Sequence, residues 1–245
     1  MKKYGLIGHP LNHSFSQRYF KKKFLDEGLN NCIYTNYDLN DLNELTDLLI
    51  NNNELEGLNI TIPYKEKVIP FLDGIDDTAK KIGSVNVIKF LKGKLIGYNS
   101  DYIAFRETLK KWLPNLNYNA IILGSGGSSK AVMYALIDLG IPFYIISRRS
   151  SLKTISYQEL KNKKNLLSKS KLIINTTPLG MYPNVNSLPK IPYELISNKH
   201  YLYDLVYNPE KTKFLKMGEK NNSKIKNGLE MLYLQANLSW NYWNK

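Results

Sequence analysis

Three observations predict an α/β fold in two domains. Short apolar runs alternate with stretches of helical spacing along the whole sequence. Residues 120–123, a helix reaching Leu139 and a second run at 142–147 form a βαβ unit, whose crossover requires parallel strands. Ahead of that unit, apolar runs on either side of Lys92-Gly93 read as a hairpin, so the patterning changes near Asp101 and a domain boundary is expected there.

Each element follows from its own pattern. Residues 3–8 are a short apolar run ending in glycine, a buried strand. Ser16 is placed to cap a helix to Leu25, with Phe20, Phe24 and Leu25 on one side and Gly28 as the stop. Residues 32–37 alternate as a strand, and 42–49 return to helical spacing behind Asp41, an N-cap candidate. Strand 57–62 stops at Pro63, which suits the first position of another helix through Ile69. Residues 85–90 and 95–98 are the hairpin strands, and helical spacing over 102–113 stops at Pro114. Beyond the βαβ unit, 172–175 and 201–206 supply further buried strands. Leu229, Leu232, Ala236, Trp240 and Trp243, three and four apart, mark an amphipathic carboxy-terminal helix.

Composition narrows the function classes. Hydrophobic residues make up 43% and charged residues 22% of the 245, an ordinary globular balance. No apolar run approaches the ~18–20 residues that cross a bilayer. The amino terminus carries Lys2 and Lys3 without an extended apolar stretch, so no secretory signal is expected. Cys32 is the single cysteine, which excludes an intrachain disulfide framework and a cysteine-built zinc site. No metal is expected, and a reducing, cytoplasmic setting is. With 34 basic and 21 acidic side chains the formal net charge is +13, which raises nucleic-acid binding as a class. Four of the basic residues are arginines, Arg18, Arg106, Arg148 and Arg149, and the remaining thirty are lysines scattered beside abundant asparagine. Scattered lysine is solvated surface rather than a phosphate-binding face, so nucleic acid is not expected as the primary partner.

The segment Leu123-Gly124-Ser125-Gly126-Gly127-Ser128-Ser129-Lys130-Ala131 leaves one strand and opens one helix. Small residues there let the backbone approach a pyrophosphate at the helix N-terminus. Ser129 stands where a full G-x-G-x-x-G would have its third glycine, and a plain turn with serine caps is the simpler alternative. The next strand ends in Ser147-Arg148-Arg149-Ser150-Ser151, with none of the acidic residues that usually bond an NAD ribose. Two guanidinium forks suit the 2′-phosphate of NADP.

The first hundred residues hold polar groups where a plain core would not put them. His13-Ser14-Phe15-Ser16 follows a strand, and its hydroxyls and helix-N-terminal amides suit either a bound carboxylate or simple capping. Asn59 and Thr61 alternate along one strand face. Lys65, in a helical first turn, is on the wrong end for the helix dipole. Asn86 interrupts an apolar run, and Asn99-Ser100-Asp101 ends the hairpin.

Together the segments GHPLNHSFS (8–16), GLNITIPYK (57–65), IGSVN (82–86), GYNSD (97–101), LGSGGSSKA (123–131), NTTPLGM (175–181), YDLVYNP (203–209) and GLEMLYLQA (228–236) run in an order that closely resembles the shikimate dehydrogenase family, with its quinate-oxidising relatives, from end to end. The resemblance implies a mostly parallel α/β substrate domain at 1–101, completed by a carboxy-terminal helix at 222–245. A Rossmann-like NADP-binding domain at 102–221 would face it across a cleft. It implies reversible NADPH-dependent reduction of 3-dehydroshikimate to shikimate, in the chorismate route to aromatic amino acids. The partners so implied are small molecules, with no membrane, in a monomer or homodimer. Carried over by motif, Lys65 and Asp101 would be the catalytic pair. Ser14 and Ser16 would hold the substrate carboxylate with Tyr207 nearby, and Asn59, Thr61, Asn86 and Gln235 would bond the ring hydroxyls. Gly124, Ser125, Gly126, Gly127, Ser128 and Ser129 would cradle the pyrophosphate. Arg148, with Arg149 beside it, would take the adenosine phosphate, while Thr176, Leu205, Gly228 and Met231 would line the cofactor site. Ser147, Arg149, Ala104 and Gln17 depart from the family pattern without removing a chemical group.

Overall fold

Two six-stranded sheets organise the chain. The computed structural model describes residues 1–11 and 14–244 and divides into two units, Met1–Ser100 with Ala236–Lys245 and Asp101–Gln235.

The first unit contains β1 (Lys2–Gly8), α1 (Phe15–Asp26), β2 (Cys32–Asp38), α2 (Glu44–Ile50), β3 (Leu55–Ile60), β4 (Gly74–Ile75), α3 (Asp77–Ile82), β5 (Val87–Leu91) and β6 (Lys94–Tyr98). Its sheet runs β2-β1-β3-β5-β6-β4. Both neighbours of β1 are parallel to it, β5 is antiparallel to β3 and β6, and β4 is parallel to β6. Lys92 and Gly93 join β5 to β6 with φ of 50° and 77°, the two left-handed residues of a type I′ turn whose twist matches a hairpin. One face of the sheet is covered by Leu39, Leu42, Leu45, Val68 and Ala79. The other is covered by Phe20 and Phe24 of α1 and by the end of the last helix, α9 (Leu229–Asn244). Its Trp243 lies over Gly57, where an added Cβ would come within 2.2 Å of the indole, and donates from Nε1 to the Ile88 carbonyl at 3.0 Å.

The second unit contains α4 (Ser100–Trp112, beginning one residue before the division), β7 (Ala120–Leu123), α5 (Gly127–Asp138), β8 (Phe143–Ser147), β9 (Ile155–Ser156), α6 (Tyr157–Asn162), α7 (Lys164–Lys169), β10 (Leu172–Asn175), β11 (Tyr201–Asp204), α8 (Lys213–Lys220), β12 (Lys224–Lys226) and α9 (Leu229–Asn244), which ends in the first unit. Its sheet runs β12-β11-β10-β7-β8-β9 and is parallel throughout. Counted from β7 this is the 3-2-1-4-5-6 order of a doubly wound sheet, with the order reversing between β7 and β10. The central strands β7 and β10 are buried along their whole length, as a sheet covered on both faces requires.

Four local expectations are corrected. Ser14, not Ser16, caps α1: its backbone is extended and its hydroxyl accepts from the Gln17 amide at 3.3 Å, while Ser16 is already inside the helix. Asp41 does not cap α2, because its carboxylate accepts the Asn43 amide at 2.9 Å in a local turn and the helix starts later. No α-helix forms over 63–69; the chain makes successive turns and a short 3-10 turn at Ile69–Phe71. The Lys65 carbonyl, which helical continuation would give to Ile69, instead accepts the Val85 amide at 2.8 Å. Lys65 therefore stands in a turn and not at a helix N-terminus, so no helix dipole acts on it. Residues 222–235 lie in the second unit rather than the first, because β12 pairs with β11 and Glu230 is held by Lys111 and Lys226.

Candidate functional site

In the first unit the order reverses between β1 and β3, and the candidate residues gather at the carboxyl ends of these strands, the edge where open α/β sheets bind ligands. The loops leaving the two strands run side by side: the His9 amide donates to the Ile62 carbonyl at 3.0 Å and the Thr61 amide to the Ile7 carbonyl at 2.8 Å. Gly8 has no room for a side chain here, since a Cβ would meet the Thr61 methyl at 2.4 Å. Asp38 fastens the start of the loop that leads to Ser14. It accepts the Leu11 amide at 3.1 Å and pairs with His9 at 2.7 Å, contacts that hold its carboxyl below the usual range. His13 of the same motif, with Asn12, lies outside the described residues.

Behind these loops a polar network is buried. The Tyr34 hydroxyl donates to Asn59 Oδ1 at 2.9 Å, and Asn59 Nδ2 donates to Ser239 Oγ at 2.8 Å and to the Asn86 carbonyl at 3.3 Å. Both amide hydrogens of Asn59 are thus committed inside the unit, and what it retains for a ligand is a lone pair of Oδ1. Asn86 clasps Ser100, accepting its amide at 2.7 Å and donating to its hydroxyl at 2.8 Å. Ser16 is buried with its hydroxyl toward Tyr34, whose own pKa burial drives well above the phenol range. Lys65 and Thr61 are half-buried in the turn after β3. The Ser84 carbonyl accepts from Asn99 Nδ2 at 2.8 Å, which places the segments around 65, 84–86 and 99–100 side by side. Asp101, 5% exposed, follows directly in the first turn of α4.

In the second unit the reversal point between β7 and β10 carries the glycine turn. Gly124 has a φ of 112°, and an added Cβ would stand 2.7 Å from Thr176 Oγ1, so only glycine serves there. The Thr176 amide and hydroxyl both donate to the Leu123 carbonyl, at 2.9 and 2.8 Å. Gly126 faces open space and caps the twelve-residue α5 without a side chain, leaving that role to whatever approaches the helix N-terminus. The Ser129 hydroxyl is spent on the Gly124 carbonyl at 2.9 Å, so Ser129 can offer a ligand only its backbone amide. Ser125 is exposed, and Gly127 and Ser128 open the helix half-buried. After β8, the hydroxyls of Ser147 and Thr154 hold the Arg149 carbonyl at 2.5 and 3.1 Å, fastening the loop while both Arg148 and Arg149 remain exposed. A glycine cradle at an open helix N-terminus, with two exposed guanidinium groups one strand away, fits a phosphorylated dinucleotide.

Leu205, Gly228, Met231, Tyr207 and Gln235 also lie in the second unit. Gly228 is pressed so closely on Leu205 that a Cβ would be 2.1 Å from its carbonyl oxygen. Met231 is buried, and Tyr207 and Gln235 are half-buried. The expected substrate residues are therefore divided, Ser14, Ser16, Asn59, Thr61 and Asn86 in one unit and Tyr207 and Gln235 in the other. Sequence reasoning missed Tyr34, Ser239 and the carboxylates Asp38 and Asp204. Asp204 left a signal, a lone charge inside the apolar run 201–206.

A doubly wound parallel sheet with a glycine turn at its reversal point defines a nucleotide-binding α/β protein of the Rossmann class. Residues 6–88 match the family model for the shikimate dehydrogenase substrate binding domain. The chain is 40% identical to the shikimate dehydrogenase (NADP(+)) of Clostridium beijerinckii over 255 residues, covering 100% of this chain and 93% of the relative. The chain belongs to the shikimate dehydrogenase family. Among solved structures, shikimate dehydrogenase 1 from Peptoclostridium difficile is similar at 36% identity and a TM-score of 0.87, over 100% of this chain and 92% of that one. The enzyme from Thermus thermophilus in complex with NADP(H) and shikimate is similar at 29% identity and a TM-score of 0.85, over 99% and 93%.

Proposed function

We propose that the chain catalyses the reversible NADPH-dependent reduction of 3-dehydroshikimate to shikimate, with Lys65 and Asp101 as the catalytic pair. The observation that carries this reading is the set of hydroxyl and amide groups at the carboxyl edge of the first unit, Ser14, Ser16, Thr61 and Asn86, with Lys65 beside them. A ring bearing one carboxylate and several hydroxyls is a ligand of matching chemistry. When bound, the nicotinamide supplies the hydride. Negative charge then builds on the substrate's carbonyl oxygen, and Lys65 delivers a proton to it from Nζ, taking it back in the oxidative direction. Asp101 orients that ammonium and accepts a hydrogen bond from the neighbouring substrate hydroxyl. Ser14 and Ser16 hold the carboxylate, and Arg148 and Arg149 grip the 2′-phosphate, which makes NADP the preferred cofactor. The chain works in the cytoplasm as a monomer or homodimer.

The test is a spectrophotometric assay with shikimate and quinate, each against NADP and NAD. Lys65→Met is expected to lower kcat by at least a hundredfold with little change in KM. A near-normal kcat would remove Lys65 from the chemistry, and equal use of NAD would remove the arginines from cofactor choice.

A further inference from the structure

Asp204 is fully buried at the carboxyl end of β11 and has no part in the chemistry described above. Three donors from separate segments converge on its carboxylate. Asn175 Nδ2, at the end of β10, reaches Oδ1 at 2.9 Å; the Val206 amide reaches the same oxygen at 3.0 Å; and the Thr212 hydroxyl, capping α8, reaches Oδ2 at 2.5 Å. Asn175 in turn accepts from the Thr177 amide at 3.1 Å and the Thr177 hydroxyl at 2.6 Å, which shapes the loop whose Thr176 closes over Leu123 and Gly124. Thr212 passes the restraint on in two directions: its hydroxyl accepts the Leu215 amide at 3.3 Å, and its side chain packs against Gly180 at the far end of the same loop.

We propose that Asp204 is a positioning residue for the cofactor site, its ionised carboxylate tying the 175–180 loop to the 206–212 segment and so holding Thr176 and Thr177 against the glycine turn. Gly124 depends on that placement, because Thr176 Oγ1 and the Thr177 methyl are the atoms that its missing Cβ would meet, at 2.7 and 3.0 Å. The inference rests on the reading that the glycine turn holds the cofactor. Burial pushes the Asp204 carboxyl up to about 7, against the opposing pull of its three hydrogen bonds, so the tie changes its protonation near neutral pH. The groups meeting it from β10, from the segment after β11 and from α8 are neutral. Tyr193, from the 3-10 turn Tyr193–Leu195, is a titratable group that feels its charge. Protonation turns one acceptor oxygen into a donor, and the hydroxyl of Thr212 must then turn away.

The test compares NADP+ dissociation constants of the whole enzyme and of Asp204→Asn, a neutral side chain of the same size, at pH 6 and pH 8.5. Taking the ratio of variant to unaltered enzyme at each pH cancels the titration of the ligand's own phosphate. The ratio is expected to be on the order of tenfold at pH 8.5, the scale of a hydrogen bond to a charged group, and near one at pH 6. KM for NADPH should rise while KM for 3-dehydroshikimate stays within about twofold. A second pair guards against misfolding: Thr212→Val should weaken NADP+ binding at pH 8.5 and Thr212→Ser should restore it. A pH-independent ratio, both KM values rising together, or Thr212→Val binding normally would overturn the proposal. Arg148→Ala and Gly124→Ala separate the two levels. If both bind NADP+ normally, the site reading itself falls; if they bind weakly while Asp204→Asn and Thr212→Val do not, only the role of Asp204 falls.

Discussion

Replacing Asp204 by asparagine should make the folded protein more stable at pH 8, although it removes a group that accepts three hydrogen bonds. The folded state raises the Asp204 carboxyl from 3.8 to about 7, so it holds a proton more tightly than the unfolded chain does. The stability this supplies is complete below the unfolded value and is lost as pH rises through about 7. Each tenfold in proton affinity corresponds to about 1.4 kcal/mol, so by pH 8 the buried charge costs about 4 kcal/mol relative to a neutral group of the same shape. Asparagine keeps the acceptor for Val206 and Asn175 but obliges the Thr212 hydroxyl to turn, a loss of about 1 kcal/mol. A net gain of about 3 kcal/mol remains, which is about 6–12 °C in Tm for a chain of this size. Differential scanning calorimetry at pH 8 and pH 4 reads it directly: the gain should be present at pH 8 and gone at pH 4. A variant that melts below the unaltered protein by the same margin at both pH values would refute the reasoning. A carboxylate retained at that expense is the expected mark of a position under functional demand.

Asn59→Ala should destabilise the first unit by about 3 kcal/mol, because it removes three hydrogen bonds from a buried layer, those to the Tyr34 hydroxyl, to Ser239 and to the Asn86 carbonyl. Urea unfolding that shifts by less than about 1 kcal/mol would show that water replaces the amide. Gly228→Ala, whose Cβ would press on the Leu205 carbonyl, should cost about 2 kcal/mol or more and raise KM for NADPH through the displaced segment; unchanged stability would mean that the segments part freely. His200 is buried, accepting the Ser197 amide at Nδ1 at 3.0 Å, and burial with the Lys171 charge lowers its pKa. Its contribution is present above the unfolded histidine value and is lost as pH falls through the lowered one, so His200→Gln should flatten the fall in Tm between pH 7 and pH 5. An identical acid slope in both proteins would exclude it.

What was legible in the sequence was local. The βαβ unit, the Lys92-Gly93 hairpin and the glycine turn are each written in fewer than about 30 consecutive residues, where spacing and turn chemistry decide the outcome. The parallel order of the second sheet follows from that unit. What escaped depended on partners far along the chain. The helix expected after Pro63 fails because Val85 takes the Lys65 carbonyl, and Asn59 is tied to Ser239, 180 residues away. The weak elements of the second unit, α6, α7 and β12, carry too few apolar positions to stand out, and α8 was missed despite one clearly apolar face. Among site residues, sequence pattern picked out the right segments, but it could not say that the Ser129 hydroxyl is spent on Gly124, or that Asn59 has no amide hydrogen left to give.

The placement of Trp243 over Gly57 sets an order on biosynthesis. The first hundred residues leave the ribosome with a groove over β3, and the residues that fill it belong to 236–244. At roughly 5–20 residues per second, synthesis of the intervening segment from 101 to 235 takes on the order of ten seconds. For that interval the earlier-made unit waits with an exposed aromatic cleft while the later-made one is free to fold first. Shortening the chain by its last few residues would therefore injure the unit that was made first.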